Sequence, residues 1–184
     1  MTPTIEVRPF ATASEYERMI DYFVAGDEPF LRGMGVDPAL LPTREAWLKA
    51  CLVDHQRPDS EKDRLYLAWL HDAELVGHSS ISHIEPGRVA HIHLHLWVPA
   101  RRRRGLGTAF VAASMDIYFE RFRLERIASE PYAENRAPNR VLERLGFRHV
   151  KRYRTVPSSI ANEQDVNRWE ITREVWNAIR KVLG

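Results

Sequence analysis

The sequence predicts an α/β (α+β) domain in which a mostly antiparallel sheet is flanked by helices. Three observations predict it. Apolar residues recur with period two in some segments and near 3.6 in others, so strands and helices both occur. Three consecutive strand-like runs in the middle of the chain are joined by short polar turns, which reads as an antiparallel meander. No linker, repeat or low-complexity stretch divides the 184 residues, so positions 1–184 are expected to form a single domain.

The elements follow in order. "TIEVRPF" alternates as a half-buried strand does, and "ASEYERMIDYFVA" then carries Tyr16, Met19, Ile20 and Phe23 at helical spacing. "GDEPFLRGMGVDPALLP" reads as a loop, after which Thr43 caps a helix beginning "REAWLKACLVDH". "RLYLAWL" and "ELVGHSSISHI" are strands joined through "HDA", and "EPGR" turns the chain back into "VAHIHLHLWV". Pro99 ends that strand, and a helix runs from Gly105 to Phe119 with Leu106, Phe110, Ala113 and Ile117 on one stripe. "RIASEPY" is a fifth strand, and Pro138 to Leu145 a short helix that Gly146 stops. "FRHVKRYRTV" and "VNRWEIT" close the sheet around the loop "PSSIANEQD", and "REVWNAIRKVL" is a terminal helix.

Composition narrows the function classes. A hydrophobic fraction of 44% and a charged fraction of 28% suit an ordinary globular protein. Lys+Arg 27 against Asp+Glu 25, a formal charge of +2, gives no general polyanion-binding signature. Nucleic-acid binding would want a broader positive excess with interleaved aromatics, so no nucleic-acid partner is expected. No segment approaches a membrane span, "MTPTIEVRPF" lacks the basic start and apolar core of a signal peptide, and a cytoplasmic location is the default. Cys51 alone cannot form an internal disulfide.

Two features carry chemistry. The first is "PARRRRGLGTAF". Alone, Arg101 to Arg104 would be a solvated charge run, but they stand between a strand end and a Gly105-Leu106-Gly107 turn that opens a helix. Unpaired N–H groups at a helix start, glycines that let backbone approach closely and adjacent guanidinium groups together suit a phosphate. The dinucleotide fingerprint would need a glycine where Phe110 stands, and the Gly-Lys-Ser/Thr of a P-loop is absent.

Arg102-Arg103-Arg104-Gly105-Leu106-Gly107 resembles the R/Q-x-x-G-x-G/A signature of the GNAT superfamily of acetyl-CoA-dependent N-acetyltransferases. "ENRAPNRVLERLGF" resembles a second family element, N-x-x-A/S-x-x-x-Y/L-x-x-x-G-F. "GFRHVKRYR" with "DVNRWEITREVW" looks most like the branch that acetylates ribosomal-protein amino termini and its small-molecule relatives. The resemblance covers about Arg64 to Trp176, and the first sixty residues match only in element order.

It implies a mixed sheet splayed beside Trp97, acetyl-CoA as co-substrate and an amine as acceptor. The backbone of Trp97 and Val98 would pair with the pantetheine arm, and the N–H groups from Arg103 through Gly105, Leu106 and Gly107 to Thr108 would hold the phosphates. Asn135 would bond the pantetheine amides, with Asn139 as a second contact; a helix N-cap is the structural alternative for Asn135. Where many members carry a Tyr that protonates the departing thiolate, this chain has Leu142.

The second feature is the alternation of His91, His93 and His95, which places them on one face of a strand with Ile92, Leu94 and Leu96 on the other. If "PG" forms a tight two-residue turn, Ser82 lies opposite His91, Ser80 opposite His93 and His78 opposite His95. Three readings compete: an exposed polar face, a metal site that would need a partner such as His78 because three ligands from one strand span too far, and acid–base catalysis. The third gains from a resemblance of "AHIHLHLWVPARRRRGLG" to serotonin N-acetyltransferases, which implies His91 and His93 as the pair serving the acceptor amine. Imidazole near pKa 6.5 accepts a proton at neutral pH, whereas an alkylamine near 10.4 arrives protonated. Glu130 is a second-choice base with a salt bridge as its structural alternative.

The expected function is direct transfer of acetyl from acetyl-CoA to a primary amine, small molecule or protein amino terminus. The alternatives are an inactive acyl-CoA-binding scaffold and, behind it, a nucleic-acid-binding or metal-binding module. The acceptor pocket should be shaped by "DEPFLRGMGVDPALLP" and "PSSIANEQD", where Asp27 and Glu28 are either cation contacts or surface charges. The sequence leaves open whether the chain forms a homodimer.

Overall fold

The computed structural model describes residues 4–98 and 105–183. The alternating segments form strands β1 (Ile5–Pro9), β2 (Arg64–His71), β3 (Glu74–Glu85), β4 (Val89–Leu96), β5 (Arg126–Ser129), β6 (Arg148–Thr155) and β7 (Gln164–Thr172). Helical spacing gives α1 (Ala13–Val24), α2 (Glu28–Gly33), α3 (Arg44–Gln56), α4 (Leu106–Phe122), α5 (Arg136–Arg144) and α6 (Arg173–Leu183). All seven strands join one sheet in the order β1-β2-β3-β4-β5-β7-β6, antiparallel throughout except between β4 and β5.

Period-two alternation gives the sheet two apolar faces, and each is covered. Leu65, Leu67, Trp69, Ile81 and Ile92 pack with Phe110, Met115 and Phe119 of α4, Leu142 of α5 and Trp176 of α6. Tyr66, Ala68 and Leu70 face the other way, against Met19, Ile20 and Phe23 of α1, Leu31 of α2 and Cys51 of α3. The histidine face of β4 shares this second side, so it lies under helices instead of solvent. Periodicity within one strand cannot reveal what covers it, and the exposed polar face is corrected on that ground.

Two local differences bear on the site. Glu28–Gly33 is helical where the sequence reads as loop, because Asp27 caps it, its Oδ1 accepting from the Phe30 N–H at 2.8 Å. The β3–β4 connection is the other. Glu85 pairs with Val89, so the loop holds three residues, Pro86 to Arg88, and not two. A bulge between Ser82 and Glu85, with His83 at φ 49°, absorbs the extra residue. The register is therefore the one a two-residue turn would give: Ser82 opposite His91, Ser80 opposite His93, His78 opposite His95.

At the end of α5, Gly146 at φ 81° stops the helix as expected, and a Cβ there would come within 2.5 Å of Ile179. The helix itself begins at Arg136, two residues before the expected Pro138, which sits in its first turn.

Candidate functional site

β4 and β5 run side by side only from Val89–Arg126 to His91–Ala128. Beyond that point β4 continues to Leu96 while β5 ends at Ser129, whose hydroxyl donates to the Ile92 carbonyl at 2.9 Å. The strands thus part along one edge of β4. The Trp97 N–H is turned to the opposite side, donating to the Val76 carbonyl at 2.8 Å. Strand alternation accordingly turns the backbone of Leu94 and Val98 toward the parted side. Of the two residues expected to pair with a cofactor arm, Val98 is the one so oriented.

A cavity of about 460 Å³ opens over the second face of the sheet at this split. Its floor is Arg64, Tyr66, His78, Ser80 and residues 91–95, and α1 and α3 contribute Phe23 and Trp47. Its rim comes from the two loops expected to shape it: Met34 to Val36 and Pro42 on one side, Pro157 to Ala161 and Gln164 on the other. The Gln164 amide ties them together by donating to the Gly35 carbonyl at 3.0 Å.

The floor is ordered in rows across three strands. Arg64, Ser82 and His91 are in register, then Tyr66, Ser80 and His93, then Ala68, His78 and His95. His78 and His95 stack with centroids 4.7 Å apart, and Phe23 meets His95 edge-on at 5.0 Å. The Trp97 indole donates to His78 Nδ1 at 3.0 Å. Indole is only a donor, so that nitrogen carries no proton and His78 is neutral. Burial pushes His78 well below the usual imidazole range, and it brings His95 down to about 4, with the Arg64 charge adding to the shift.

His93 is depressed likewise, by burial first and then by Arg64 and the neighbouring imidazoles. It is bonded through Nε2 to Ser82 Oγ at 2.9 Å, and Ser82 Oγ is bonded to His83 Nδ1 at 3.1 Å. Ser82 is buried and His83 exposed, so this chain of three groups runs from the cavity to the surface. His91 is lowered by burial, partly offset by the Glu130 carboxylate, and its ring lies 5.3 Å from that of His83. Burial would raise Glu130, but hydrogen bonds from Tyr153 and Arg168 outweigh it and hold the carboxyl below its ordinary value. Glu130 is therefore a salt-bridged carboxylate, the structural alternative foreseen for it.

The predicted cofactor residues divide. Arg102, Arg103 and Arg104 lie outside the described residues. Gly105 stands at the N-cap of α4 with φ 77°, and a Cβ there would meet nothing within 4 Å. Leu106, Gly107 and Thr108 form the first turn, which contains no acidic residue. A helix start whose first turn carries no carboxylate suits a diphosphate, and a strand edge that has lost its neighbour suits an extended amide-bearing arm. Asn135 caps α5 without a side-chain cap bond and lines the cavity. The Asn139 amide is filled from within: Nδ2 donates to the carbonyls of Tyr132 and Asn135, while Oδ1 accepts from Asn167 and from Trp169 Nε1.

Several residues end in structural roles. Asp27 caps α2, Glu28 pairs with Arg32, and neither lines the cavity. Cys51 is buried with its thiol pushed up by burial and directed at the Tyr66 hydroxyl, outside the cavity lining. Leu142 lies in the core. Among the described residues no group of three or more His, Cys, Asp or Glu side chains is arranged to hold a metal ion. None of the described helices is long and apolar enough to cross a membrane. Sequence reasoning does not reach Arg64 or His83: one is an arginine at a strand start, the other has the wrong parity until the bulge re-aims it.

A family model described as an acetyltransferase (GNAT) domain matches residues 5–148. No curated protein matches the chain. Among solved structures it is similar to the ribosomal alpha-N-protein acetyltransferase RimL in complex with coenzyme A, at 21% identity over 92% of this chain and 94% of that one, TM-score 0.73. It is also similar to spermidine N-acetyltransferase from Vibrio cholerae with coenzyme A and spermine, at 14% identity, 94% and 98% coverage, TM-score 0.75. The aminoglycoside acetyltransferase AAC(6')-Ib with coenzyme A and kanamycin follows at 15%, 96% and 99%, TM-score 0.74. At these identities the likeness is one of fold.

Proposed function

The chain belongs to the GNAT family of acetyl-CoA-dependent N-acetyltransferases, and from that premise we propose that it acetylates a primary amine seated over the histidine floor, with His93 as the base. The observation that carries this reading is the cavity itself, which joins the parted edge of β4 to a row of neutral imidazoles.

Acetyl-CoA supplies the thioester carbonyl. Val98 and the parted β4 edge would hold its arm, the amides of Gly105 to Thr108 its phosphates together with Arg102 to Arg104, and Asn135 its pantetheine amides. Asn139, whose amide is already filled, is left out of that set. The acceptor nitrogen must lose a proton to attack directly, within a complex of both substrates. As the C–N bond forms the C–S bond breaks, and coenzyme A would leave as a thiolate that solvent protonates, Leu142 having no proton to give. His93 takes that proton at Nδ1, with Nε2–H donating to Ser82 and the Ser82 hydroxyl donating to His83. As Nδ1 is protonated, the Nε2 proton passes to Ser82 and the Ser82 proton to His83, which releases it to solvent. His91 supports the exit end through its contact with His83. Burial keeps His93 neutral and free to accept, and the hydrogen-bonded exit through Ser82 and His83 spares it from holding the proton.

Saturating the protein with acetyl-CoA should raise its thermal transition, and His93→Gln should lower turnover of amines by about 10²-fold or more without moving that shift. Absence of a shift would remove cofactor binding. Unchanged turnover would remove His93 as base, and cofactor binding with no turnover of any amine would leave the inactive-scaffold reading.

A further inference from the structure

The lining of the cavity includes two charged side chains, Arg64 and Glu130. Their situations differ. Glu130 is paired with Arg168, which it shares with Glu170, and accepts from Tyr153 at the same oxygen. Arg64 forms no ion pair among the described residues. The carboxylates around it are engaged elsewhere: Asp54 accepts from the backbone N–H groups of Asp63 and Arg64 and pairs with Arg57, and Asp63 also pairs with Arg57. Around Arg64 the cavity presents aromatic rings, methionines, hydroxyls and imidazoles that are neutral at pH 7.

The sheet register places this cation. Arg64 lies two strands from His91 in the same row, and one row from His93. At about 4.8 Å per strand, the two backbones are roughly 10 Å apart, and an arginine side chain reaches most of that distance over the floor. Its side chain and the His93 imidazole line the same cavity, and the Arg64 charge acts on His93 across it.

We propose that the acceptor is a primary amine bearing a carboxylate a few bonds from the nitrogen, the carboxylate held by Arg64 while His93 takes the proton. This rests on the acetyltransferase reading above and adds the substrate class. A guanidinium binds a carboxylate through paired N–H donors, which also fixes the orientation of the amine. A polyamine or aminoglycoside brings further ammonium groups, which Arg64 repels and for which the described lining offers one carboxylate, Glu130, already paired with Arg168. Burial is the main cause that lowers His93 and the Arg64 charge the second; a seated carboxylate would offset the second, so the base strengthens when the right acceptor arrives.

The test uses the full chain with acetyl-CoA and matched acceptors: L-phenylalanine, L-phenylalaninamide, a short peptide with an acidic amino-terminal residue, and spermidine. Rates are compared at equal free-amine concentration, since the carboxylate alters amine basicity. A parallel arm measures the thermal shift of coenzyme A-saturated protein on adding N-acetyl-L-phenylalanine or its amide.

The expected result is kcat/KM at least tenfold higher for a carboxylate-bearing acceptor than for the amide or spermidine, and a thermal shift with the acid form alone. The free amino acid and the acidic peptide distinguish whether the carboxylate belongs to a metabolite or to a protein terminus. Arg64→Gln should abolish both preferences, and Arg64→Lys should restore part of them, which a loss of folding alone would not do. Equal use of acid and amide, preference for spermidine, or a preference that survives Arg64→Gln would overturn the proposal and leave the acetyltransferase reading standing. Failure to acetylate any amine would instead strike that reading.

Discussion

Ser82→Ala isolates the proton exit route from everything else in the site. Ser82 is 3% exposed, and among the described residues its hydroxyl is the single group bonded both to His93 and to His83. Removing it deletes a neutral hydrogen bond worth about 0.5–1.5 kcal/mol, which through orientation of His93 alone amounts to roughly 2- to 13-fold in rate. It also severs the only bonded link to the exposed His83 among the described residues. The ceiling is the whole worth of base catalysis, about 10²–10⁴-fold. We therefore expect kcat/KM for the acceptor to fall roughly 10- to 100-fold at pH 7, less than in His93→Gln, with KM for acetyl-CoA unchanged. The assay is initial-rate thiol release over pH 6–9, with and without added imidazole. A small diffusible base should restore much of the loss, because it can carry away a proton that the alanine variant strands on His93. A loss that imidazole and pH leave untouched would mean that Ser82 only props up the strand, and wild-type rates would refute the relay outright.

Two further outcomes are expected. His95 ionises near 4 in the folded protein and near 6.5 when unfolded, so between these values the unfolded chain binds more protons. Stability therefore rises with pH across that window and is lost as acid is added, by roughly 3 kcal/mol for this group; denaturant melts at pH 7 and pH 4 should show a shallower acid loss in His95→Gln, and an identical loss would dismiss the assignment. Asn139→Ala should lower stability by roughly 1–3 kcal/mol, because it orphans Trp169 Nε1, while KM for acetyl-CoA stays put; a raised KM without a lowered melting temperature would return Asn139 to the cofactor.

How much of the site was legible varies with the range of the physics. The glycines at 105 and 107, the alternating histidines and the cap position of Asn135 are local features, visible because each depends on backbone conformation within a few residues. The pairing of Ser82, Ser80 and His78 with the three histidines was readable too, though for a partly wrong reason: the turn is one residue longer than supposed, and the bulge at His83 compensates. Asn139 shows the opposite case. Its place in a motif suggested a ligand contact, while its amide serves two carbonyls, Asn167 and Trp169, partners up to thirty residues away.

What the amino-acid order determined by itself was the succession of strands and helices, the face on which each histidine stands, and a glycine-bearing helix start suited to an anion. Those follow from periodicity and from the conformations that glycine and proline allow. Only the tertiary structure decided that the histidine face is roofed by α1 and α3, that Arg64 shares its cavity without a carboxylate partner among the described residues, and that Ser82 and His83 lead outward from His93. Burial and charge pairing depend on which distant segments meet, and it is burial that lowers four imidazoles and holds them neutral.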